Sequence, residues 1–351
     1  MNQFTVGVVG LGITGSAITY ELAKHGIKVV AIDIENSLNN TASSFGETRI
    51  MRVLHDSHEL SMVCNSTFKS ICSFVNNVSF FKSCGHVSII PEHKLELYCQ
   101  YAKEFELNTE ILSSELMYQN NGMKLSNGDV GVLEKDSGYV IPGLFIQSLI
   151  SQAKLFNAAI FRGDSVKVDF ANHNIYYDGK YYECDYFLIC TGHILPEILK
   201  QLGYDTLANS FHKTYQKTIY INQSQALYNN TWLNTTTFDY GFPYLADYGN
   251  RIGINKFAMT DKQQFDKIDF EQKNVKQIIV TAANHRDIDS KRLLISNYYS
   301  GTFLATKLTD SFRFEMLDKR IGYVFSCNGH GFKMSLGMAG AVKKECIKLF
   351  G

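Results

Sequence analysis

Three glycines close to the start of the chain have the spacing of a loop that binds dinucleotide phosphates. They are Gly10, Gly12 and Gly15, and they stand between the apolar, β-branched segment Thr5–Val9 and an apolar pattern of helical period. In such a loop the first glycine permits the tight turn, the second lets a pyrophosphate approach the backbone, and the third lets helix and strand pack closely. The helix N-terminus then attracts the anion. The alternative is that the glycines serve packing alone in an unliganded α/β domain.

An acidic residue follows at the distance that such a loop requires. Asp33 lies 23 residues after Gly10, at the end of a second apolar segment, Lys28–Ile32. A carboxylate at this place can accept a hydrogen bond from a ribose hydroxyl of the dinucleotide. Strand, loop, helix and second strand form one β-α-β unit, and its right-handed crossover makes the two strands parallel. These residues do not distinguish NAD from FAD.

Two arginines and one lysine are candidates for binding an anionic group. Arg49 and Arg52 are three residues apart, so one helical turn would place both guanidinium groups on the same side. A guanidinium is a planar fork of N–H donors that suits a carboxylate or the negative oxygens of a flavin. A surface ion pair is the alternative for either arginine taken alone. Near the other end of the chain, Lys333 follows the glycine-rich turn Gly329–Gly331.

These stretches together resemble the monomeric sarcosine oxidase and N-methyltryptophan oxidase branch of the D-amino-acid-oxidase-like flavoprotein family. Residues 43–52 read SSFGETRIMR and residues 327–333 read CNGHGFK. The branch carries S-x-x-G-[DE]-T-R-I-x-R and G-H-G-F-K at matching places. The resemblance spans most of the chain, because Lys180–Gly192 is similar to the family's strand that ends in a Thr-Gly turn. It implies an α/β fold with a discontinuous FAD-binding Rossmann-like domain and a β-rich substrate domain.

The resemblance also implies roles for individual residues. Arg49 would lie against the flavin ring, and Arg52 and Lys333 would hold the substrate carboxylate from two sides. Backbone N–H groups of the 329–331 turn would face the flavin edge on which negative charge develops during reduction. For His330, a place in this turn is favoured over catalysis. With Arg49 and Lys333, the predicted cofactor-binding residues are Gly10, Gly12, Ile13, Thr14, Gly15, Asp33, Ser43, Ser44, Thr48, Val166, Thr191, Gly192, Gly329, His330, Gly331 and Phe332.

The chain departs from the family's pattern at the site of covalent flavin attachment. Members with covalent FAD use a Cys followed by x-Tyr-[Thr/Ser], whereas the best match here begins with Asn297. Non-covalent FAD is therefore predicted, with attachment to an unaligned cysteine as the alternative.

A second departure concerns the lysine with which the oxidases activate oxygen. Gly241-Phe242-Pro243 marks the corresponding hairpin, but an ungapped match places Arg251 at the lysine position and strand alternation places Gly253 there. Lys256 would need a shifted register, and a slip of one residue reverses the face of a strand. Arg251 is therefore a candidate catalytic residue. The sequence does not decide whether oxygen or another molecule accepts the electrons.

Together these residues predict FAD-dependent oxidation of the C–N bond of a secondary amine to an imine. The substrate would be an N-alkyl or cyclic amino acid, and oxygen or another acceptor would reoxidise the flavin. A flavoprotein partner or subunit with structural FAD is the alternative, but it would have no use for the pair Arg52 and Lys333. An NAD(P)-dependent dehydrogenase would leave Arg49 and residues 329–333 without a purpose.

Composition limits the remaining possibilities. The 351 residues are 45% hydrophobic and 19% charged, which predicts a globular chain. Its 34 basic and 34 acidic side chains balance, so no net positive charge would attract nucleic acid. Its eight cysteines form no C-x-x-C pair, and no metal site is predicted. No apolar run reaches membrane-spanning length and the start lacks the features of a signal peptide. A cytoplasmic protein without a membrane span is predicted.

The predicted elements divide the chain into two interleaved domains. Residues 1–80, 140–214 and 318–351 are assigned to the FAD-binding domain, and residues 81–139 and 215–317 to the substrate-binding domain. Besides the two strands of the β-α-β unit, strands are predicted at Val87–Ile90, Asp136–Val140, Ala159–Phe170, Tyr181–Cys190, Ile219–Ile221, Phe238–Lys256 and Ile321–Ser326, and helices at Ser16–His25, Gly143–Asn157 and Met334–Leu349.

Overall fold

The computed structural model describes residues 4–33, 42–74, 79–222, 228–245, 249–253, 294–305, 311–326 and 329–350. For residues 215–222, 244, 249–253 and 294–304 it describes the backbone only. The strands in these ranges are β1 (Thr5–Val9), β2 (Lys28–Asp33), β3 (Arg49–Met51), β4 (Phe81–Ser83), β5 (His86–Pro91), β6 (Thr109–Leu112), β7 (Asp129–Glu134), β8 (Gly138–Val140), β9 (Ala159–Arg162), β10 (Lys167–Asp169), β11 (Asn174–Tyr177), β12 (Lys180–Glu183), β13 (Tyr186–Ile189), β14 (His212–Asn222), β15 (Thr231–Asn234), β16 (Tyr240–Leu245), β17 (Gly249–Gly253), β18 (Leu294–Ala305), β19 (Phe312–Met316) and β20 (Ile321–Ser326). The α-helices are α1 (Ile13–Lys24), α2 (His58–Cys72), α3 (Leu95–Glu104), α4 (Ser114–Asn121), α5 (Pro142–Leu155), α6 (Leu195–Gln201), α7 (Asp205–Ala208) and α8 (Gly331–Phe350).

A six-stranded sheet in the order β19-β20-β13-β1-β2-β9 carries the glycine loop. β1 is parallel to β2 and β13, β13 is parallel to β20, and β2 is parallel to β9, while β19 runs antiparallel at the edge. Parallel strands are covered on both faces, which explains the continuous apolar sequence of β1. The carboxyl ends of β1, β2, β13 and β20 therefore meet at one end of the sheet, where ligands bind in open α/β sheets.

Alternate residues of the central strand enter two apolar layers, one on each face of this sheet. Val6 and Val8 of β1 pack in one layer with residues of α1, α5 and α8, whereas Val9 packs in the other with residues of α6. Gly7 leaves room for a neighbouring strand, because a Cβ there would come within 2.7 Å of the Phe187 ring. The sheet is thus held between helices on both faces, which fixes the loops at its carboxyl end.

A second sheet has eight strands in the order β18-β14-β17-β16-β15-β5-β7-β6. Its neighbouring strands are antiparallel, except that β15 and β5 are parallel. Two small sheets, β3-β8-β4 and β10-β11-β12, complete the strand pairing. Through β5 and β7 the eight-stranded sheet contributes the buried side chains of His86, Ser88 and Glu134 to the site described below.

The structure confirms some predicted elements and corrects others. β1 and β20 have the predicted bounds, and α1, α5 and α8 occupy the predicted helices with shifted ends. The strand predicted at Ala159–Phe170 is two strands, β9 and β10, because the chain turns at Gly163 with φ +120°. Tyr181–Cys190 is divided between β12 and β13, which lie in different sheets, because at Asp185 the chain leaves the hairpin and its N–H bonds to the Thr5 carbonyl.

The predicted strand Phe238–Lys256 is a hairpin of β16 and β17, and its last residues, 254–256, lie outside the described residues. The domain boundaries stay a prediction. Among the helices in the described ranges, none combines the length and the apolar character that crossing a bilayer requires.

Candidate active site

The turn between β1 and α1 is shaped by its glycines. Gly10 has φ +97°, in the left-handed region that favours glycine, and its N–H donates to the Ile32 carbonyl oxygen at 2.8 Å. A Cβ on Gly15 would lie 1.8 Å from the Gly10 carbonyl oxygen. Only glycine therefore permits this approach of the helix to the turn.

Two helix N-termini meet beside this turn. Gly12 is the N-cap residue of α1, and α8 begins at Gly331, where a Cβ would lie 2.8 Å from Ser326 Oγ and 3.3 Å from Ile13 Cγ2. The hydroxyls of Thr14 and Ser326 lie 3.0 Å apart and join the first turn of α1 to the end of β20. Both helix dipoles place positive partial charge in this region, which favours an anion.

The strands on either side of β1 bring further predicted residues to this end of the sheet. Asp33, at the end of β2, accepts the Leu11 N–H at 3.0 Å. Thr191 and Gly192 follow β13; Gly192 has φ +57°, and Thr191 Oγ1 is buried and makes no hydrogen bond with the described residues. Val166 is buried in the second apolar layer.

Arg162 also lies at this end, and sequence reasoning missed it. In the register of β2 and β9 it stands opposite Asp33. Its Nε and Nη2 atoms are buried and make no hydrogen bond within the described part of the chain. Burial lowers the pKa of Arg162, and the carboxylate of Asp33 opposes that shift. A part-buried cation, two of whose donor atoms have no partner among the described residues, is therefore available beside the predicted ribose site.

The predicted helical turn containing Arg49 and Arg52 is wrong. Arg49–Met51 form strand β3, which pairs with β8. Arg52 follows the end of this strand, and the two guanidinium groups have different hydrogen-bond partners. A spacing of three residues only weakly predicts a helix, and hydrogen bonding of this segment to the distant strand β8 decides its conformation.

Arg49 is held by the loop that precedes it. Its guanidinium donates to the carbonyl oxygens of Ser43 at 2.8 Å and Thr48 at 2.7 Å, and also to that of Phe45. It lies 5.7 Å from the centre of the Phe332 ring in the first turn of α8. In the same loop, Ser44 Oγ accepts the Ile13 N–H at 3.1 Å. The loop thus places a fixed positive charge beside both helix N-termini.

Arg52 is buried, with 7% of its surface exposed. Its Nη1 donates to the Leu54 carbonyl oxygen and, at 3.2 Å, to Ser88 Oγ, and its Nη2 lies 3.1 Å from His55 Nδ1. These contacts hold the guanidinium in one orientation before any ligand binds.

Glu134 supports the segment on which Arg52 rests, and sequence reasoning gave no signal for it. Its carboxylate accepts the N–H groups of Val53 at 2.8 Å and Leu54 at 3.2 Å and the hydroxyl of Ser137 at 2.9 Å. Burial raises the pKa of Glu134, while these hydrogen bonds and the charge of Arg52 act in the opposite direction. Glu134 is therefore a positioning residue for the Arg52 segment.

Lys333 lies in the first turn of α8 and is part-buried. Burial is the largest cause and the charge of Arg52 the next in lowering the pKa of Lys333 to about 8, and Arg49 contributes further. The structure therefore brings together three cations that the sequence singled out. Because its proton is labile near neutral pH, Lys333 is the one among them that can change its charge.

Histidines surround these cations, and only His330 was singled out from the sequence. His55 and His330 have ring centres 5.2 Å apart, and His86 Nδ1 lies 2.9 Å from Thr231 Oγ1. Burial and the charges of Arg52 and Lys333 lower the pKa of both His55 and His86. These shifts favour the neutral form of both rings, which adds polarity to the site without adding charge.

Other predicted residues lie where their side chains are not described. The backbones of Arg251 in β17 and Asn297 in β18 both pair with Tyr220 of the intervening strand β14. The side chains of Arg251 and Asn297, and the whole of Lys256, lie outside the described residues. Their roles in oxygen activation and flavin attachment stay predictions.

A family model described as FAD dependent oxidoreductase (DAO) matches residues 5–344. The chain belongs to this family. It is similar to monomeric sarcosine oxidase from Bacillus sp. (strain B-0618), with 22% identity over 373 residues that cover 96% of this chain and 90% of the relative. It is also similar to N-methyl-L-tryptophan oxidase from Yersinia pestis (strain Pestoides F), with 26% identity over 150 residues, 41% of this chain and 40% of the relative. The predicted family and the predicted cofactor, FAD, are confirmed.

Solved structures share the fold of this FAD-dependent oxidoreductase. L-proline dehydrogenase from P. horikoshii has a TM-score of 0.78 at 15% identity, over 99% of this chain and 94% of that chain. Glycine oxidase from Geobacillus kaustophilus has a TM-score of 0.73 at 14% identity, over 99% and 95%. The predicted fold class, a discontinuous Rossmann-like FAD domain with a β-rich substrate domain, is confirmed.

The described residues fit FAD at the carboxyl end of the six-stranded sheet. The helix N-termini at Gly12 and Gly331 suit phosphates and the electron-rich edge of a flavin. Buried polar atoms of Arg162 and Thr191 have no hydrogen-bond partner among the described residues, as expected of groups that bond to a cofactor. The positive charge of Arg49 beside these helix N-termini would suit an anionic, reduced flavin.

We expect Arg162→Met to weaken FAD binding without destabilising the apoprotein. Loss of a hydrogen bond from a charged group costs about 1.5–3 kcal/mol, or roughly 10- to 100-fold in the dissociation constant of FAD. The apoprotein loses a part-buried cation whose Nε and Nη2 have no partner among the described residues, so its melting temperature should stay constant or rise. Flavin fluorescence titration and thermal unfolding measure the two effects. Arg320→Met, at an exposed position, is the control; an unchanged FAD affinity in Arg162→Met would remove Arg162 from the cofactor site.

Proposed function

We propose that this FAD-dependent oxidoreductase oxidises the C–N bond of a secondary amine that carries a carboxylate, namely an N-alkyl or cyclic amino acid, to an imine. The observation that carries the proposal is the pair of cations, Arg52 and Lys333, placed with Arg49 beside the N-terminus of α8. A carboxylate is the substrate group that this pair would bind. The relatives named for sarcosine and N-methyl-L-tryptophan support the same substrate class.

The residues present would orient the substrate. Arg52, which its protein contacts hold fixed, and Lys333 would bind the carboxylate and so fix the carbon next to the amine nitrogen. When bound, FAD would accept the hydride equivalent from that carbon. Arg49 would keep a constant positive charge on the cofactor side of the site, and water would hydrolyse the imine after release.

Anaerobic reduction of the flavin by matched amines tests this function. L-proline and sarcosine carry a carboxylate, whereas pyrrolidine and dimethylamine are the corresponding amines without one. We expect the visible flavin band to bleach much faster with the two amino acids than with their partners. If no amine bleaches a flavin that dithionite reduces, the alternative of a structural FAD is favoured. Equal rates of flavin reduction by amines with and without a carboxylate would contradict carboxylate binding by Arg52 and Lys333.

Non-covalent attachment of FAD is part of the proposal, because Asn297 stands where covalent members have a cysteine. Acid precipitation of the purified protein should release the yellow colour into the supernatant. Colour that stays with the pellet would show a covalent bond to another residue.

Oxygen or another molecule, such as a quinone, would reoxidise the reduced flavin. Fast oxidation by air with formation of hydrogen peroxide would identify an oxidase. Slow oxidation by air and fast oxidation by a quinone would identify a dehydrogenase. We place the enzyme in the cytoplasm, on the composition of the chain.

The pH dependence of carboxylate binding tests the role of Lys333. Because the pKa of Lys333 is about 8, its positive charge is present below that pH and is lost above it. We expect the dissociation constant of acetate, which carries no amine, to rise above pH 8, approaching tenfold per pH unit. Lys333→Arg stays charged and should abolish this rise. Acetate binding that is constant between pH 7 and pH 10 in the wild type would contradict the role of Lys333.

A further inference from the structure

His55 is held in a fixed position next to the proposed carboxylate site. It is 4% exposed, and its backbone N–H donates to Ser61 Oγ at 2.9 Å, while that hydroxyl donates back to the His55 carbonyl oxygen at 3.3 Å. On the ring, Nδ1 lies 3.1 Å from Arg52 Nη2. Backbone and ring are therefore both anchored, and the direction of the remaining nitrogen is determined.

The contact with Arg52 fixes the proton of the imidazole. A guanidinium only donates hydrogen bonds, so Nδ1 of His55 must be the acceptor. The neutral ring then carries its proton on Nε2. This atom is buried and has no hydrogen-bond partner among the described residues. An unsatisfied buried donor costs about 1–3 kcal/mol, which a ligand that accepts its hydrogen bond would recover.

Protein acceptors already use part of the hydrogen-bonding capacity of Arg52. A guanidinium has five N–H groups. Its Nη1 donates to the Leu54 carbonyl and to Ser88 Oγ, and its Nη2 donates to His55 Nδ1. A carboxylate bound here would therefore share Arg52 with protein acceptors and would be held more firmly by donors from other residues.

We propose that the Nε2–H of His55 donates a hydrogen bond to the substrate carboxylate, as a third donor beside Arg52 and Lys333. The ring lies 5.2 Å from that of His330, in the turn that precedes Lys333, so the unused donor belongs to the same group of side chains. His55 thereby has two tasks: Nδ1 orients Arg52, and Nε2 binds the ligand. The inference rests on the proposed function, because it assigns the carboxylate of that substrate.

Two substitutions separate these tasks. His55→Asn keeps an acceptor near the place of Nδ1 but has no donor at the place of Nε2, whereas His55→Gln keeps an N–H near Nε2 and loses the acceptor. The probe is acetate, titrated into each holoenzyme and followed by the change in the flavin spectrum. For His55→Asn we expect the dissociation constant of acetate to rise about 10- to 100-fold, as for loss of a bond to a charged group. For His55→Gln we expect it to stay within about fivefold of the wild type.

Thermal unfolding of the same holoenzymes distinguishes ligand binding from a structural role. In His55→Asn the melting temperature should stay constant or rise, because an unsatisfied buried donor is removed. The proposal is overturned if acetate binds His55→Asn as tightly as the wild type, if both variants lose stability and acetate binding together, or if acetate does not bind the wild type. Should His55→Asn not fold, His55→Gln decides alone: acetate binding close to the wild type supports the proposal, and loss of binding in a folded protein overturns it.

The outcome is separable from that of the proposed function because acetate cannot be oxidised as an amine. If acetate binding depends on His55 but no amine reduces the flavin, the carboxylate site is supported and the proposed reaction is contradicted. If amino acids reduce the flavin but acetate binds His55→Asn as tightly as the wild type, the proposed reaction is supported and the role of His55 is contradicted.

Discussion

Replacing Arg52 with Met is expected to lower kcat/KM for L-proline or sarcosine by roughly 30-fold to several thousand-fold. Loss of one partner from a buried charge contact costs about 2–5 kcal/mol, and about 1.4 kcal/mol is a factor of ten in rate. Arg52 is the most buried of the three cations, and its contacts with Leu54, Ser88 and His55 would be lost with it. Steady-state kinetics measures the effect, which should reside mainly in KM.

The amines without a carboxylate provide the control for this variant. Flavin reduction by pyrrolidine should be nearly the same in the wild type and in Arg52→Met, because no group of pyrrolidine binds Arg52. The FAD content should also be unchanged. If proline and pyrrolidine lose rate by the same factor, Arg52 acts on the general structure of the site and not on the carboxylate.

Gly15→Ala should weaken FAD binding strongly. The added Cβ would lie 1.8 Å from the Gly10 carbonyl oxygen and 2.9 Å from its carbon, so the turn must move away from the helix. Overpacking of this kind costs up to about 3 kcal/mol, or roughly 100-fold in affinity, when the displaced atoms are those that bind the ligand. Fluorescence titration of the apoprotein with FAD measures the loss.

Gly340→Ala is the matched control, since it makes the same chemical change within a helix. Nothing lies within 4 Å of a Cβ at Gly340 in α8. Removing a helical glycine should raise the free energy of unfolding by about 0.5–1 kcal/mol and leave the dissociation constant of FAD unchanged. An equal loss of FAD affinity in both variants would contradict FAD binding at the turn that precedes α1.

The first β-α-β unit could be predicted from the sequence because its signals are local. The bounds of β1, the turn at Gly10 and the acidic end of β2 each depend on residues that are neighbours in the chain. The predicted members of the cofactor site that follow strands, such as Thr191 and Gly192, lie at the same end of the sheet for this reason. Their contacts with FAD stay predictions.

The surroundings of Arg52 could not be predicted, because they join distant parts of the chain. Glu134 is 81 residues from Val53, whose N–H it accepts, and Ser88 is 36 residues from Arg52. Nor does the type of residue help, since a buried histidine such as His55 is indistinguishable in sequence from one on the surface. The wrong helical turn has the same origin: pairing of β3 with β8 outweighs a spacing of three residues.

The contact between Thr14 and Ser326 joins residues 312 positions apart, and β13 lies between β1 and β20 in the sheet. During synthesis on the ribosome, the glycine loop therefore emerges long before the strand and helix that complete its surroundings. The nascent chain cannot complete these surroundings until residues 321–350 have left the exit tunnel. A product released before that point should fail to retain flavin, so the yellow colour of the protein would report that translation had reached α8.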